Sequence, residues 1–180
     1  QTEERGEAMK LRHLFFACSG VFVMMFSLLL LVVIVFSDEE DGGSGGNLIY
    51  GGVSVSQEVL AHKPMLEKYA REYGIEEYLN VLLAIIQVES GGTLEDVMQS
   101  SESLGLPPNS LSTEESIKQG CKYFSELLAA AEAKGCDLNS VVQSYNYGGG
   151  FLDYVAGRGK KYTFELAESF ARDKSGGKKV

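Results

Sequence analysis

Glu89 closes an unusually apolar stretch. Ile75 to Glu89 reads IEEYLNVLLAIIQVE, and Ser90-Gly91-Gly92 follows it. Val81, Leu82, Leu83, Ala84, Ile85, Ile86 and Val88 leave a helix here apolar on nearly every face, which marks it for the domain centre. At helical spacing Leu82, Ile85 and Ile86 share a face with Glu89. Apolar neighbours desolvate a carboxylate, and a helix C-terminus presents the negative end of its dipole. Both effects favour the protonated form, which is what a general acid must be near neutral pH. A surface glutamate paired with a lysine is the plainer alternative.

A second carboxyl follows within reach. Asp96 lies in the polar stretch TLEDVMQSSE, which can loop back over the helix end after Gly91-Gly92. Two carboxyls, one protonated and one ionised, are the usual equipment for cleaving a glycosidic bond. Glu95 and Glu102 are rival partners, and a solvated acidic loop is the competing explanation. Ser90, Gln99, Ser100, Ser101, Glu102, Tyr145, Asn146 and Tyr147 offer the hydroxyls, amides, carboxylate and aromatic faces that would hold a sugar.

Other chemistries fit poorly. His13 and His62 are far apart in sequence, and neither a His-x-x-x-His nor a Cys-x-x-Cys occurs, so no metal site is expected. Gly148-Gly149-Gly150 follows no strand and lacks a P-loop lysine, which makes it a turn; no cofactor is implied. Cys121 and Cys136 are compatible with a disulfide or with two free thiols.

The elements that would position these residues are helices. Between residues 55 and 173 no sustained period-two alternation occurs. Ser56 can cap a short helix over QEVLAH, and Pro64 suits the first turn of the next, which stops at Gly74. Ser112-Thr113-Glu114-Glu115 has the form of a capping box. Behind it Ile117, Cys121, Phe124, Leu128 and Ala131 form one apolar stripe ending at Gly135. Leu138 to Tyr145, Phe151 to Ala156 and Phe164 to Arg172 complete the set. The expected fold class is all-α.

The chain has 180 residues, enough for one domain and an appendage. Leu14 to Phe36 runs 23 residues without a charge. As a helix it would reach ~34 Å, enough to cross a hydrocarbon layer of ~30 Å. A cleaved signal peptide is the rival, but its apolar core is usually shorter. Lys10 and Arg12 precede the run, and Asp38 to Asp41 follow it, so the N-terminus is expected in the cytoplasm and the domain outside. Met9-Lys10-Leu11-Arg12 reads as a natural start. The expected organisation is a tail over 1–13, a transmembrane helix over 14–36, a flexible Gly- and Ser-rich linker over 37–53, a helical domain over 54–173 and a linker remnant over 174–180. The part beyond the span carries 13 Lys and Arg against 22 Asp and Glu, which disfavours nucleic acid as a partner.

Three motifs together carry a family resemblance: Glu89-Ser90-Gly91-Gly92, Asp96-Val97-Met98-Gln99-Ser100-Ser101-Glu102 and Ser144-Tyr145-Asn146-Tyr147-Gly148. In this order and spacing they resemble the CwlT-like lysozyme domain and, more distantly, the goose-type lysozyme and soluble lytic transglycosylase superfamily. The resemblance spans roughly residues 54–173 and implies a lysozyme-like helical domain. It implies cleavage of the β-1,4 bond between N-acetylmuramic acid and N-acetylglucosamine in peptidoglycan. On this reading Glu89 matches the catalytic acid and Asp96 the second acidic residue, while Gln99, Tyr145 and Asn146 match cleft residues. The resemblance also implies wall opening for a conjugation or secretion complex of a Gram-positive cell, with the protein anchored in the cell membrane by residues 14–36. Proteins of this group commonly carry an NlpC-type cysteine peptidase as well; no cysteine or histidine follows Cys136, so none is expected in this chain. A lytic transglycosylase forming a 1,6-anhydro product, and a non-catalytic scaffold docked against the wall, are the alternatives.

Overall fold

The computed structural model describes residues 48–50 and 53–175. A short hairpin of β1 (Leu48–Tyr50) and β2 (Val53–Val55) precedes seven helices: α1 (Gln57–Ala61), α2 (Lys63–Glu72), α3 (Leu79–Glu89), α4 (Thr113–Lys134), α5 (Leu138–Tyr147), α6 (Gly150–Ala156) and α7 (Phe164–Lys174). Short 3₁₀ turns at Glu76–Tyr78 and Ser100–Leu104 flank α3 and its following loop. The expected membrane span, the N-terminal tail and most of the linker lie outside the described residues. Among the described residues no helix is long and apolar enough to cross a membrane.

Two expectations change. The domain is helical but not purely so, because a hairpin crosses the expected boundary between the linker (37–53) and the domain, antiparallel with Leu48 opposite Val55 and Tyr50 opposite Val53. Leu48-Ile49-Tyr50 and Val53-Ser54-Val55 are β-favouring triplets separated in sequence by two glycines, a two-residue hairpin signal. Glycine-rich composition masked it. At the other end α7 runs to Lys174, one residue into the expected C-terminal linker.

The helix ends follow local chemistry. Ser56 Oγ accepts the Val59 N–H, Asp137 accepts that of Ser140, and Thr163 accepts that of Leu166. At α4 the Glu115 carboxylate accepts both the N–H and the hydroxyl of Ser112, at 3.1 and 2.6 Å. Gly135 ends the helix in the left-handed conformation, φ 69°.

α3 forms the axis of the domain. Val81 to Ile86 are buried continuously, and Leu82, Leu83, Ile85 and Ile86 expose nothing. Each such side chain contributes ~1.5–3 kcal/mol of burial. β2, α1 and α2 pack against α3, while α4 packs against α2, α5, α6 and the second 3₁₀ turn. Beneath α6 and α7 lies a separate core of Phe151, Val155, Ala167 and Phe170. Phe151 meets Phe170 edge-on at 5.2 Å.

Gly92 brings the end of the α3 loop against α1. Its φ is +78°, and a Cβ there would lie 2.7 Å from the backbone of Glu58 and Val59. At Gly105, φ +71°, a Cβ would meet open space. Gly105→Ala is expected to cost about 1 kcal/mol of conformational strain. Gly92→Ala adds backbone overlap and should lose more than ~2 kcal/mol in denaturant unfolding.

Candidate active site

The last turn of α3 delivers Glu89 to the wall of a cleft of about 290 Å³. The chain is turned away immediately afterwards by Ser90. Its hydroxyl donates to the Val97 carbonyl at 2.7 Å and accepts the Gly92 N–H at 3.0 Å. Gly91 and Gly92 take positive φ values of 61° and 78°, which glycine adopts without strain. His62 Nε2 lies 2.9 Å from the Gly92 carbonyl, and the Gln87 amide oxygen accepts the Ser56 N–H at 2.7 Å. The Glu-Ser-Gly-Gly motif is thus a turn in which only the glutamate reaches the cleft.

The opposite wall is organised by Asp96, which is wholly buried. Its Oδ1 accepts the Ser100 N–H at 2.9 Å and the Ser116 hydroxyl at 2.6 Å, and its Oδ2 accepts the Ser101 N–H at 3.3 Å. Ser116 Oγ also accepts the Met98 N–H at 3.0 Å. The Ser100 hydroxyl in turn donates to the Ser116 carbonyl at 2.9 Å. These bonds clamp the loop and the Ser100–Leu104 turn onto the first turns of α4. Gln99 sits within this clamp at φ 46°, left-handed and rare for a side chain that is not glycine. Such strain costs ~1–3 kcal/mol and persists only where the surroundings hold it. Here Gln99 Nε2 donates to the Asp96 carbonyl and to Asn109 Oδ1, both at 2.8 Å.

α5 supplies the remaining wall. The Tyr145 hydroxyl donates to the Met98 carbonyl at 3.0 Å, so the Tyr-Asn step is tied to the Met-Gln step. Burial raises the Tyr145 phenol well above its ordinary pKa, so it stays a donor. Gly120 of α4 permits this approach: a Cβ there would stand 2.5 Å from Met98 Sδ and 2.9 Å from the Tyr145 oxygen. Tyr147 is held by Phe151 at 5.4 Å and by Phe170 at 5.7 Å.

Of the residues expected at the site, Glu89, Gln99, Ser100, Glu102, Tyr145, Asn146 and Tyr147 line the cleft together. Asp96, Ser90 and Ser101 do not. Asp96 and Ser90 are spent on N–H groups of this tight loop, while Ser101 is buried with its own N–H donated to Asp96. Ser103, Tyr123 and Gly148 also line the cleft and were missed. Tyr123 lies off the main apolar stripe of α4, with its ring 5.5 Å from that of Tyr145. Its signal was the adjacent row Gly120, Tyr123 and Leu127, in which a mid-helix glycine marks a close contact.

The electrostatics single out Glu89. Its pKa rises from 4.5 to about 8, first because burial desolvates the anion, then because Glu102 and Asp96 add negative charge. The cleft therefore holds one carboxylic acid protonated at neutral pH and, on the wall formed by the Ser100–Leu104 turn, the exposed side chain of Glu102. Such a group can give a proton to a leaving oxygen. Cys121 is a buried free thiol, pushed up to about 12, and Cys136 is also free, so these two form no disulfide. Among the described residues no cluster suited to a metal ion occurs.

Comparison with known proteins agrees with this geometry. The model of the lysozyme-like family matches residues 56–179. This chain belongs to the lysozyme-like family. The bifunctional muramidase/DL-endopeptidase CwlT of Bacillus subtilis (strain 168) is 44% identical over 124 residues, covering 68% of this chain and 37% of that protein. The uncharacterized membrane protein YocA of the same organism is 38% identical over 118 residues, covering 65% of this chain and 52% of that protein. Among solved structures, a Staphylococcus aureus subsp. aureus Mu50 protein described as similar to lipoprotein, NLP/P60 family, shares 74% identity at a TM-score of 0.68. That alignment covers 69% of this chain and 42% of the other. The resemblance to CwlT-like lysozyme domains therefore stands, and the chain spans about a third to a half of the length of these curated relatives.

The raised pKa of Glu89 makes stability fall with pH. Below about 4.5 the carboxyl is neutral whether the chain is folded or unfolded. Between about 4.5 and 8 only the unfolded chain ionises, which draws the equilibrium toward it by about 1.4 kcal/mol per pH unit. Glu89→Gln removes that penalty. At pH 8.5 the variant should be more stable by up to about 5 kcal/mol, while at pH 4 the two melting curves should nearly coincide.

Asp96→Asn tests the clamp. The asparagine amide offers one carbonyl oxygen where Asp96 uses two, so its NH₂ would face the Ser101 N–H. A loss of ~1–3 kcal/mol is expected in chemical denaturation. Removal of the negative charge should also lower the Glu89 pKa, measurable by NMR titration of its carboxyl carbon.

Proposed function

We propose that this protein is a membrane-tethered peptidoglycan hydrolase, an N-acetylmuramidase acting on the β-1,4 bond between N-acetylmuramic acid and N-acetylglucosamine. The observation that carries the reading is Glu89: a carboxyl with a pKa near 8 on the wall of a polar, tyrosine-lined cleft, in a chain of the lysozyme-like family. The name of the relative CwlT, a muramidase, supports the choice of bond. Glu89 donates its proton to the glycosidic oxygen as the bond from that oxygen to the muramic C1 breaks. Water adds to C1 and its proton leaves to a carboxylate. Glu102 is the carboxylate on the wall that can accept it, while Asp96 acts from behind by holding Ser100 and Ser101 in place. Gln99, Asn146 and the tyrosines Tyr123, Tyr145 and Tyr147 would hold the sugars.

A second reading is favoured by one observation, the engagement of both Asp96 oxygens behind the wall. Lytic transglycosylation needs only Glu89: the muramic 6-hydroxyl attacks C1, and the Glu89 carboxylate left by the first step takes the hydroxyl proton. Residues 14–36 would anchor the enzyme with its N-terminus inside the cell. The name of a relative, membrane protein YocA, is in keeping with that placement.

Glu89→Gln is expected to lower release of fragments from purified peptidoglycan by at least ~10²-fold with the fold intact. A wall-docking scaffold would lose nothing. The wild-type rate should decline as pH rises past about 8. Mass spectrometry separates the two reactions, since an anhydro product is lighter by one water. Under hydrolysis Glu102→Gln should slow turnover by ~10–100-fold, and under transglycosylation only slightly.

A further inference from the structure

The loop between α6 and α7 concentrates positive charge on an acidic protein. Residues 154–164 read YVAGRGKKYTF, with three cations and no carboxylate. The whole chain carries −9, so the remainder carries −12. Arg158, Lys160 and Lys161 are all exposed. Among the described residues none of the three forms an ion pair, whereas the nearby Lys134 is already held by Asp153 at 3.1 Å.

The loop is built rather than loose. Arg158 stacks on Tyr154, its guanidinium carbon 3.6 Å from the ring centre, and donates to the Tyr154 carbonyl at 3.1 Å. The Arg158 and Lys160 N–H groups both donate to the Val155 carbonyl, at 2.8 and 3.0 Å. Lys160 accepts the Asp137 N–H on its carbonyl at 3.2 Å, and the Tyr162 N–H donates to both Asp137 oxygens at 3.1 Å. Lys160 holds φ +66°, which for a lysine needs such fixing. The one carboxylate beneath the loop, Asp137, is thus spent on Ser140 and Tyr162.

We propose that Arg158, Lys160 and Lys161 form a docking loop for a linear poly(polyol phosphate), a phosphodiester chain without bases. A guanidinium stacked on Tyr154 and two exposed ammonium groups suit successive phosphates. A thread can follow the loop alone. A flat anionic bilayer would also approach the exposed carboxylates of Asp153 and Glu165 on either side. The loop packs beside Gly135, and Arg158, Lys160 and Lys161 are not among the residues that line the cleft. The inference therefore does not rest on the reaction proposed for Glu89.

The test uses the full chain in uncharged detergent and fluorescently labelled poly(glycerol phosphate), followed by anisotropy. Wild-type affinity should fall at least ~10-fold between about 50 and about 200 mM salt. The variant R158Q/K160N/K161Q, with asparagine chosen because it tolerates positive φ, should bind at least ~10-fold more weakly at low salt and with a flatter salt dependence. Its melting curve reports whether it folds; if it does not, K161Q alone should still weaken binding severalfold. The proposal is overturned if the wild type does not bind the polymer at low salt, or if the folded variant binds as tightly. It is equally overturned if the variant loses binding only to phosphatidylglycerol vesicles and the polymer is ignored by both.

Discussion

One carboxyl is largely stripped of its hydration at the end of a helix whose middle, Val81 to Ile86, is buried throughout. β2, α1 and α2 pack against α3, which fixes where its last turn ends and Glu89 begins. The remaining structure serves this constraint. The chain must reverse at once after the glutamate, which takes Ser90 and two glycines, and the returning loop must be fixed without help from Glu89 itself.

Asp96 meets the second need and explains a division of labour between the two acids. Both are acidic residues near one helix end, but Asp96 receives three hydrogen bonds, and Glu89 is perturbed chiefly by lost hydration. The clamp at Ser116 then couples the loop to α4, and the Tyr145 to Met98 bond couples it to α5. Gly120 allows all three to meet in one place.

The helices were legible because their signals are local. Ser56, Ser112, Thr163, Gly74 and Gly135 mark ends through contacts within a few residues, and the α4 stripe requires only a period. The hairpin was hidden by the glycines around it, although two β-favouring triplets flanked Gly51-Gly52. The 3₁₀ turn before α3 was read as helix, since Glu76 to Tyr78 differ from an α-turn only by a tighter hydrogen bond.

At the site, residue type and order pointed to Glu89 as the perturbed acid, because an apolar helix ending in a carboxylate has a physical meaning before it is folded, while the family resemblance placed Gln99, Tyr145 and Asn146 in its cleft. Which way each side chain faces belonged to the tertiary structure. Glu102 rather than Asp96 lines the cleft, Ser90 and Ser101 turn inward, and Tyr123 arrives from a helix more than thirty residues away in sequence. These outcomes depend on how unpaired backbone groups in a tight loop find partners across the fold, and such long-range accounting leaves no periodic trace in the chain.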